Sequence, residues 1–237
     1  MKKLILALTL IASSIQTVSA QKDSKDSTTF KKNQAHLYFG VQSPDIKELN
    51  SWLNNSTLSN NYPVLGMNFF SAGVGFIQLT KNKFVSHQEL ITYSGTASND
   101  SVSVNFRNIS FSQSLLGYSY LNSKNFQSYS FMGLAYSTST LKINEKVADG
   151  TSFNNYGTAV GNQLEMNTTS FLLNITTQFN YLINIRKSDD KFIIGLKGSY
   201  YMPFTKSTWE TGKTKLTEGP NINAGGLSAH LTLGMTF

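Results

Sequence analysis

Along residues 225–237, apolar side chains alternate with small or polar ones. Successive side chains of a strand point to opposite faces, so this period of two predicts a strand with one apolar and one polar face. A soluble strand would hide the apolar face in a core, but this one ends on an aromatic residue. We therefore expect the face to meet lipid. Its members are Leu227, Ala229, Leu231, Leu233, Met235 and Phe237.

Residues 170–185 repeat the same pattern. The polar face carries hydroxyl and amide side chains, including Asn174, Thr176 and Gln178. The opposite face is largely aliphatic and aromatic, which favours a second lipid-facing strand. The apolar residues expected to face lipid here are Phe171, Leu173, Ile175, Phe179 and Ile183.

The beginning of the chain has the pattern of a secretory signal peptide. Lys2 and Lys3 precede an apolar run over residues 4–12, and small residues lead to an expected cleavage after Ala20. Residues 21–34 are polar and charged without periodicity, which predicts a flexible periplasmic tail. Residues 35–237 are then expected to form one domain. The chain has no cysteine, which excludes a disulfide framework and leaves no site for a lipoprotein anchor.

No later segment has the roughly 20 apolar residues of a spanning helix. A chain that crosses a membrane with strands must close them into a barrel, because lipid cannot pair exposed backbone groups. Eight segments have strand character, and the connections between them alternate between long or moderate loops and tight turns. Outer-membrane barrels show this asymmetry, with an even strand number and long loops outside the cell. The predicted strands span residues 35–42, 65–79, 84–95, 102–120, 127–140, 170–185, 192–202 and 225–237.

Three local features are predicted within this pattern. Residues 43–53 should form a short helix, with Ser43 as N-cap, Pro44 at the first position and three apolar residues on one face. Residues 141–168 and 203–223 should form long polar loops. The fourth strand changes parity along its length, and we place a β-bulge near Asn108 to explain the change.

With its signal peptide, eight alternating strands and terminal Phe237, the chain resembles the small outer-membrane barrels of Gram-negative bacteria. These include proteins of the OmpX, OmpA-domain and OmpW kind, in the porin-like outer-membrane β-barrel family. The resemblance implies an all-β fold, an eight-stranded antiparallel up-and-down transmembrane β-barrel in the cell outer membrane. It also implies contact with outer-membrane lipid and lipopolysaccharide, and recognition of the C-terminal strand by the barrel-assembly machinery, with Phe237 as the assembly signal.

Charged residues within the predicted strands are few, and on the lipid face each Arg or Lys would cost about 2–4 kcal/mol at the midplane. We therefore expect His87, Glu89, Lys197 and His230 to form a polar network in the lumen. Three scattered histidines do not predict a metal site, and no cofactor is expected. The formal net charge of +7 is not gathered into a basic stripe with interleaved aromatic residues, so nucleic acid is not an expected partner.

Tyrosines recur near the ends of many predicted strands, which favours aromatic girdles at the membrane interfaces over a sugar-binding or ligand-binding cluster. These are Tyr38, Tyr93, Tyr118, Tyr120, Tyr129, Tyr136, Tyr181, Tyr200 and Tyr201.

The favoured function is a non-enzymatic outer-membrane protein with a side-chain-filled lumen and long extracellular loops, in a structural or surface-interaction role with an unknown loop ligand. An alternative is a narrow channel or small apolar ligand transporter of the OmpW type, suggested by small inward residues at Gly226, Ser228 and Gly234. A lipid A-modifying acyl hydrolase is a third reading, built on Ser228 and His230 with Glu89 as the acid. A soluble lipocalin-like barrel is the competing fold.

Overall fold

The computed structural model describes residues 32–55, 62–79, 83–146, 163–185, 190–217 and 219–237. The predicted signal peptide and most of the predicted tail lie outside these ranges. No helix in the described ranges has the length and apolarity needed to span a membrane. The elements in this part of the chain are β1 (Lys32–Asp45), α1 (Lys47–Asn55), β2 (Phe69–Leu79), β3 (Val85–Ser98), β4 (Val102–Asn122), β5 (Phe126–Glu145), β6 (Gln163–Asn184), β7 (Lys191–Pro203), β8 (Thr208–Thr211), β9 (Thr214–Lys215) and β10 (Asn223–Thr236).

Eight of these strands, β1 to β7 and β10, form one closed antiparallel sheet within the described residues. Each of β1 to β6 pairs with the next strand in sequence, and β10 closes the circle between β7 and β1. Closure removes every unpaired strand edge from the circle, as a membrane requires. The predicted eight-stranded antiparallel up-and-down barrel is confirmed.

The stagger of the strands fixes the barrel width. A path that starts at Gln178 on β6 and steps from each residue to its partner on the next strand returns to β6 at Thr168. The two positions on β6 differ by ten residues, which is the stagger around the eight strands. This gives a strand tilt of about 40° and an interior that side chains can fill. The residues on the path are Gln178, Lys197, His230, Gly40, Ser71, Tyr93, Asn108, Ser139 and Thr168.

The barrel wall is tall on one side. β4, β5 and β6 have 21, 20 and 22 residues, whereas β2 and β7 have 11 and 13. The predicted loop 141–168 is therefore too long, because β5 continues to Glu145 and β6 begins at Gln163. In these extensions the inward residues are apolar, such as Leu141 and Ile143, and the outward ones are polar. The alternation persists with its faces exchanged, so the sequence resembles a polar loop.

The same exchange explains β4, where the bulge predicted near Asn108 is wrong. Val104, Phe106 and Asn108 all point inward, so the inward face changes from apolar to polar without any change of parity. The parity change lies lower in the strand. The register shifts between Ser114 and Leu116, and again between Ser119 and Leu121. Val102, Val104 and Phe106 therefore belong to the barrel interior.

The predicted helix is present and its apolar face is buried as expected. Ile46, Leu49 and Leu53 are fully buried. The helix begins later than predicted, at Lys47, because β1 continues through Asp45. Asn50 then fixes the following segment, since its amide group both donates to and accepts from the backbone of Leu65, at 3.0 Å in each direction.

The predicted loop 203–223 contains a small hairpin, β8 and β9, which extends the sheet from β6. Trp209 on β8 is buried, and its indole Nε1 donates to the carbonyl of Pro220 at 2.6 Å. The backbone N–H of Asn221 donates to the carboxylate of Glu48 on α1 at 2.9 Å. These contacts join the hairpin segment to the helix over the mouth of the barrel.

Candidate functional site

Glu89 is the centre of a buried polar network in the lumen. Its carboxylate forms an ion pair with the ammonium group of Lys197 and accepts a hydrogen bond from the hydroxyl of Tyr201. Ser112 donates to the same carboxylate at 3.0 Å. Glu89 and Lys197 are each only 2% exposed, so each charge depends on these partners for stabilisation.

Neutral side chains on β4, β6 and β7 extend the network. Asn174 on β6 donates to Ser112 at 3.0 Å and lies 3.4 Å from the carboxylate of Glu89. Thr176 donates to the amide oxygen of Asn174 at 2.7 Å and contacts the hydroxyl of Ser199 at 2.8 Å. Hydrogen bonds of this kind satisfy the buried polar groups in the middle of the lumen.

His87 lies on the other side of Glu89, with its Nε2 atom 3.6 Å from the carboxylate. The hydroxyl of Tyr38 is 3.2 Å from the same nitrogen, and the ring of Phe131 stacks on the imidazole at 4.4 Å. The ammonium group of Lys197 lies over the ring of Tyr38, 3.9 Å from its centre, in a cation–π contact. Three of the four residues predicted for the lumen network are thus joined in one group through Glu89.

His230, the fourth predicted residue, is buried in the lumen but has a different partner. Its Nε2 atom lies 2.8 Å from the hydroxyl of Ser71, a residue that the sequence did not single out. Within the described residues the side-chain hydroxyl of Ser228 has no hydrogen-bond partner. Glu89 is engaged by Lys197, so Ser228, His230 and Glu89 do not assemble as a nucleophile, base and acid.

A second amide and hydroxyl network lies nearer the chain ends. The hydroxyl of Tyr129 is 2.8 Å from the amide oxygen of Gln34 and 2.9 Å from that of Gln127. Asn180 donates to the same hydroxyl at 2.8 Å, and Gln178 donates to Asn180 at 2.9 Å. Gln34 fell in the predicted tail, but here its side chain is fully buried because β1 begins at Lys32.

Above the Glu89 network the lumen becomes apolar. Side chains of α1 meet inward residues from the tall wall and from the hairpin segment in one cluster of buried residues. The sequence concealed part of this cluster because Leu141, Ile143, Met166, Trp209 and Ile222 come from segments that were predicted to be loops. The members of the cluster are Ile46, Leu49, Leu53, Leu65, Phe69, Tyr93, Val102, Val104, Phe106, Leu141, Ile143, Met166, Trp209, Ile222 and Ala224.

The girdle assignment is wrong for four of the tyrosines. Tyr38, Tyr93, Tyr129 and Tyr201 point inward and are at most 3% exposed. The strand parity could have identified them, because Tyr38 shares its face with His36 and Tyr201 shares its face with Lys197. The other five predicted girdle tyrosines lie on the outer surface, and they are Tyr118, Tyr120, Tyr136, Tyr181 and Tyr200.

The residues predicted to face lipid lie on the outer surface of the barrel. Leu227 is 63% exposed, Phe179 55% and Phe237 58%, which are unusual values for such side chains in water. The others in the predicted set are Phe171, Ile175, Ile183, Ala229, Leu231 and Met235, which are exposed, and Leu173 and Leu233, which are half-buried. Among the described residues, no group of three His, Cys, Asp or Glu side chains is placed to hold a metal ion.

No family model and no curated protein matches the chain. The barrel is similar to solved structures of bacterial outer-membrane proteins. Ail, the attachment invasion locus protein of Yersinia pestis, is 11% identical over 87% of this chain and 95% of Ail, with a TM-score of 0.41. A major outer membrane protein from Thermus thermophilus is 9% identical over 88% of this chain and 99% of that protein, with a TM-score of 0.49. Neisserial surface protein A is 13% identical over 90% and 98% of the two chains, with a TM-score of 0.40. At such low identity the likeness does not extend to function.

Proposed function

We propose that this chain is an integral protein of the cell outer membrane, with a structural or surface-interaction role. The observation that carries the proposal is the apolar belt on the outer surface of the barrel. On β10 the belt runs from Leu227 to Phe237, and ten residue steps at this tilt span about 25 Å, the height of the apolar band in outer-membrane barrels. Above the belt, the outward residues of β3 to β6 become polar.

The lumen would be closed to solutes by two stacked barriers. The Glu89 network fills its middle, and the apolar cluster beneath α1 fills its upper part. An open diffusion pore needs a continuous polar path, which such a cluster interrupts. Refolded protein in planar bilayers should show no stable single-channel conductance. A large and steady conductance would refute the closed lumen.

Two of the three small inward residues that suggested a channel, Gly226 and Gly234, have another explanation. Gly226 has a positive φ of 58°, and a side chain there would collide with the backbone of Ser43 on β1. A side chain at Gly234 would similarly meet the backbone of Ala35. Both glycines permit close strand contact, so they give no support to a channel or to a transporter of small apolar ligands.

Outer-leaflet lipopolysaccharide is the proposed lipid partner above the belt. Arg107 points outward on β4, two residues above Ile109, which is 40% exposed at the upper edge of the belt. No hydrogen bond or ion pair joins the Arg107 side chain to another described residue. Lys142 on the neighbouring strand is bound to Glu165 at 2.9 Å, whereas Arg107 is available to bind a lipid phosphate.

The tall wall is the proposed surface for an extracellular ligand. Its outward face holds hydroxyl and amide pairs, among them Thr96 with Asn105 at 2.8 Å and Thr140 with Asn167 at 2.6 Å. A polar surface of modest charge suits a hydrogen-bonding partner more than a highly charged polymer.

The C-terminal strand is the proposed recognition element for the barrel-assembly machinery. The backbone N–H of Phe237 donates to the carbonyl of Asn33 at 3.0 Å. The centre of the Phe237 ring lies 6.0 Å from the centre of the Phe76 ring. Replacement of Phe237 with Ala should reduce the amount of assembled barrel in cells but permit refolding of purified protein in detergent. Equal losses in both settings would place the role of Phe237 in stability instead of recognition.

The location is tested by density-gradient fractionation of cell membranes. The proposal expects the mature chain in the outer-membrane fraction, resistant to extraction by high salt and alkaline carbonate. Recovery from the soluble periplasmic fraction would instead support a lipocalin-like barrel and remove the basis for the lipid contacts above.

A further inference from the structure

The outer surface of β3 differs from that of the other strands in the belt. Its outward positions are Ser86, Gln88, Leu90 and Thr92, of which Leu90 alone is aliphatic. By comparison, β6 presents a nearly continuous row of large apolar side chains over the same height. One side of the barrel therefore offers hydrogen-bonding groups where lipid contacts would be expected.

Neighbouring strands enlarge this polar surface. Gln88 is paired with Gln113 on β4, and Ser86 is paired with Gln78 on β2. Because paired residues of adjacent strands project to the same face, all four side chains lie outside the barrel. We call this surface the glutamine patch, and it consists of Gln78, Ser86, Gln88, Thr92 and Gln113.

Gln88 and Gln113 lie within the belt, whereas Thr92 is paired with Ile109 at its upper edge. On β4, Gln113 follows the outward residues Ile109 and Phe111, and Leu116 and Tyr118 come after it. Gln113 is therefore roughly 10 Å below Ile109 along the barrel axis. A glutamine side chain is too short to reach the head groups from that depth, so it cannot escape hydrocarbon by bending toward water.

The side chain of Gln113 is exposed and makes no hydrogen bond with any residue that the structure describes. An amide group in hydrocarbon without a partner is strongly unfavourable, because acyl chains neither donate nor accept hydrogen bonds. Polar residues in membrane segments commonly serve to join protein surfaces for this reason.

We infer that the glutamine patch is the contact surface for a second copy of this chain in the membrane. A carboxamide carries both donors and an acceptor, so the same patch on another copy supplies the complementary groups around a twofold axis. Small neighbours such as Ser86 and Thr92 allow two walls to approach closely. The patch is confined to one side of the barrel, which limits the assembly to a closed dimer and not an extended chain.

The bulge in β4 adds an apolar margin to this contact. The register shift at Leu115 turns both Leu115 and Leu116 outward, and they are 69% and 54% exposed. They stand beside Gln113 on the same strand. Two adjacent protruding leucines next to a polar centre give the surface a shape that a matching copy can pack against.

The inference rests on the proposed membrane location, and its test separates the two. The natural chain lacks cysteine, so a Gln113→Cys variant has one reactive thiol in the patch. Thr177→Cys is the matched control, because Thr177 is outward on β6, away from the patch. Both variants are expressed, and isolated outer membranes are treated with a mild oxidant before electrophoresis without reductant. We expect at least fivefold more product of twice the monomer mass for Gln113→Cys than for Thr177→Cys.

A second cysteine variant keeps the test decisive if Gln113→Cys does not fold. Ser86→Cys is a small change in the same patch, and it should also give the dimer. Adding Gln113→Leu to Ser86→Cys should reduce its cross-linking at least fivefold. Equal cross-linking of the patch and control variants would overturn the inference, as would a product of another mass, which would indicate a different protein. A heat-dependent gel shift for each variant establishes that the barrel is assembled, so failure of the membrane proposal is recognised separately.

Discussion

Glu89 on β3 and Lys197 on β7 form an ion pair inside the lumen although 108 residues separate them in the chain. The pair joins distant strands of the barrel and is almost fully screened from solvent. Charged groups in such a place are stable only together, because each compensates the lost hydration of the other. The lumen network therefore depends on both residues and on the donors around them.

Loss of one charge of this pair should be costly. Glu89→Gln or Lys197→Met alone should lower the free energy of unfolding by about 3–5 kcal/mol, since either change leaves an uncompensated buried charge. The double variant should lose much less than the sum of the two single losses. Urea unfolding of the refolded barrel in lipid vesicles measures the stability of the natural chain, the two single variants and the double variant. Additive losses within about 0.5 kcal/mol would mean that the two residues are not coupled.

The height of the apolar belt can be tested on one strand. Leu134 is an outward residue of β5 within the belt, 45% exposed, and Asn144 is an outward residue of the same strand above it. Leu134→Arg should destabilise the membrane-inserted barrel by about 2–4 kcal/mol, because it places a charge in hydrocarbon. Asn144→Arg should change the stability little. Similar effects of both substitutions on unfolding would show that the membrane boundary is not between these residues.

Because Tyr129 points inward, the change from Tyr to Phe should cost more stability at Tyr129 than at Tyr136. Tyr129→Phe removes a hydroxyl that contacts Gln34, Gln127 and Asn180, and should cost about 1–3 kcal/mol for the buried groups left without a partner. Tyr136→Phe is the control, since Tyr136 is outward and half-buried. Thermal or urea unfolding of both variants makes the comparison. A loss for Tyr136→Phe that equals the loss for Tyr129→Phe would argue against the buried network.

Helix α1 is expected to act as the closure of the barrel mouth. Leu53→Ala removes a fully buried side chain from the apolar cluster and should weaken the closure by about 2–5 kcal/mol. Ser51→Ala, on the exposed side of α1, should not. Hydrogen exchange of the amides in α1, followed by mass spectrometry, should accelerate in the first variant alone while the belt strands stay protected. Unchanged exchange in Leu53→Ala would mean that the cluster does not hold the helix.

Lipopolysaccharide should stabilise the barrel through Arg107. The melting temperature of refolded protein should rise when lipopolysaccharide is added, and the rise should be smaller in Arg107→Gln. Lys142→Gln is the control, because Lys142 already has Glu165 as a partner. If lipopolysaccharide raised the melting temperature equally in both variants, Arg107 would not be part of the lipid contact.

The sequence revealed the fold where one strand face is apolar and the other polar along its whole length. On β10 and in the lower part of β6 the inward side chains are mostly hydroxyls, amides and His230, and the outward ones are mostly aliphatic or aromatic. Period-two alternation of this kind identifies both the strand and its facing. The helix face of Leu49 and Leu53 was equally clear, because apolar residues recur at helical spacing.

The upper barrel was concealed because its two faces exchange chemistry at the membrane boundary. Leu141 and Met166 lie inward there, beside outward Lys142 and Asn167, so the extensions of β5 and β6 resembled polar loops. Period-two alternation does not indicate which face is inward, and the apolar face of each strand was expected to point outward. Tyr38 and Tyr129 were expected at the membrane interfaces because tyrosines recur near the ends of the predicted strands. The hydroxyls of such tyrosines can be buried only because partners from distant strands are available, and those partners depend on the strand order and register.

Gel mobility of isolated outer membranes, compared before and after heating in detergent, tests most directly whether this chain forms a closed barrel in the membrane. Our account predicts a compact, faster-migrating form in the unheated sample that converts to the full-length mobility of the unfolded chain on boiling. A single mobility in both samples, or absence of the chain from the outer-membrane fraction, would contradict it.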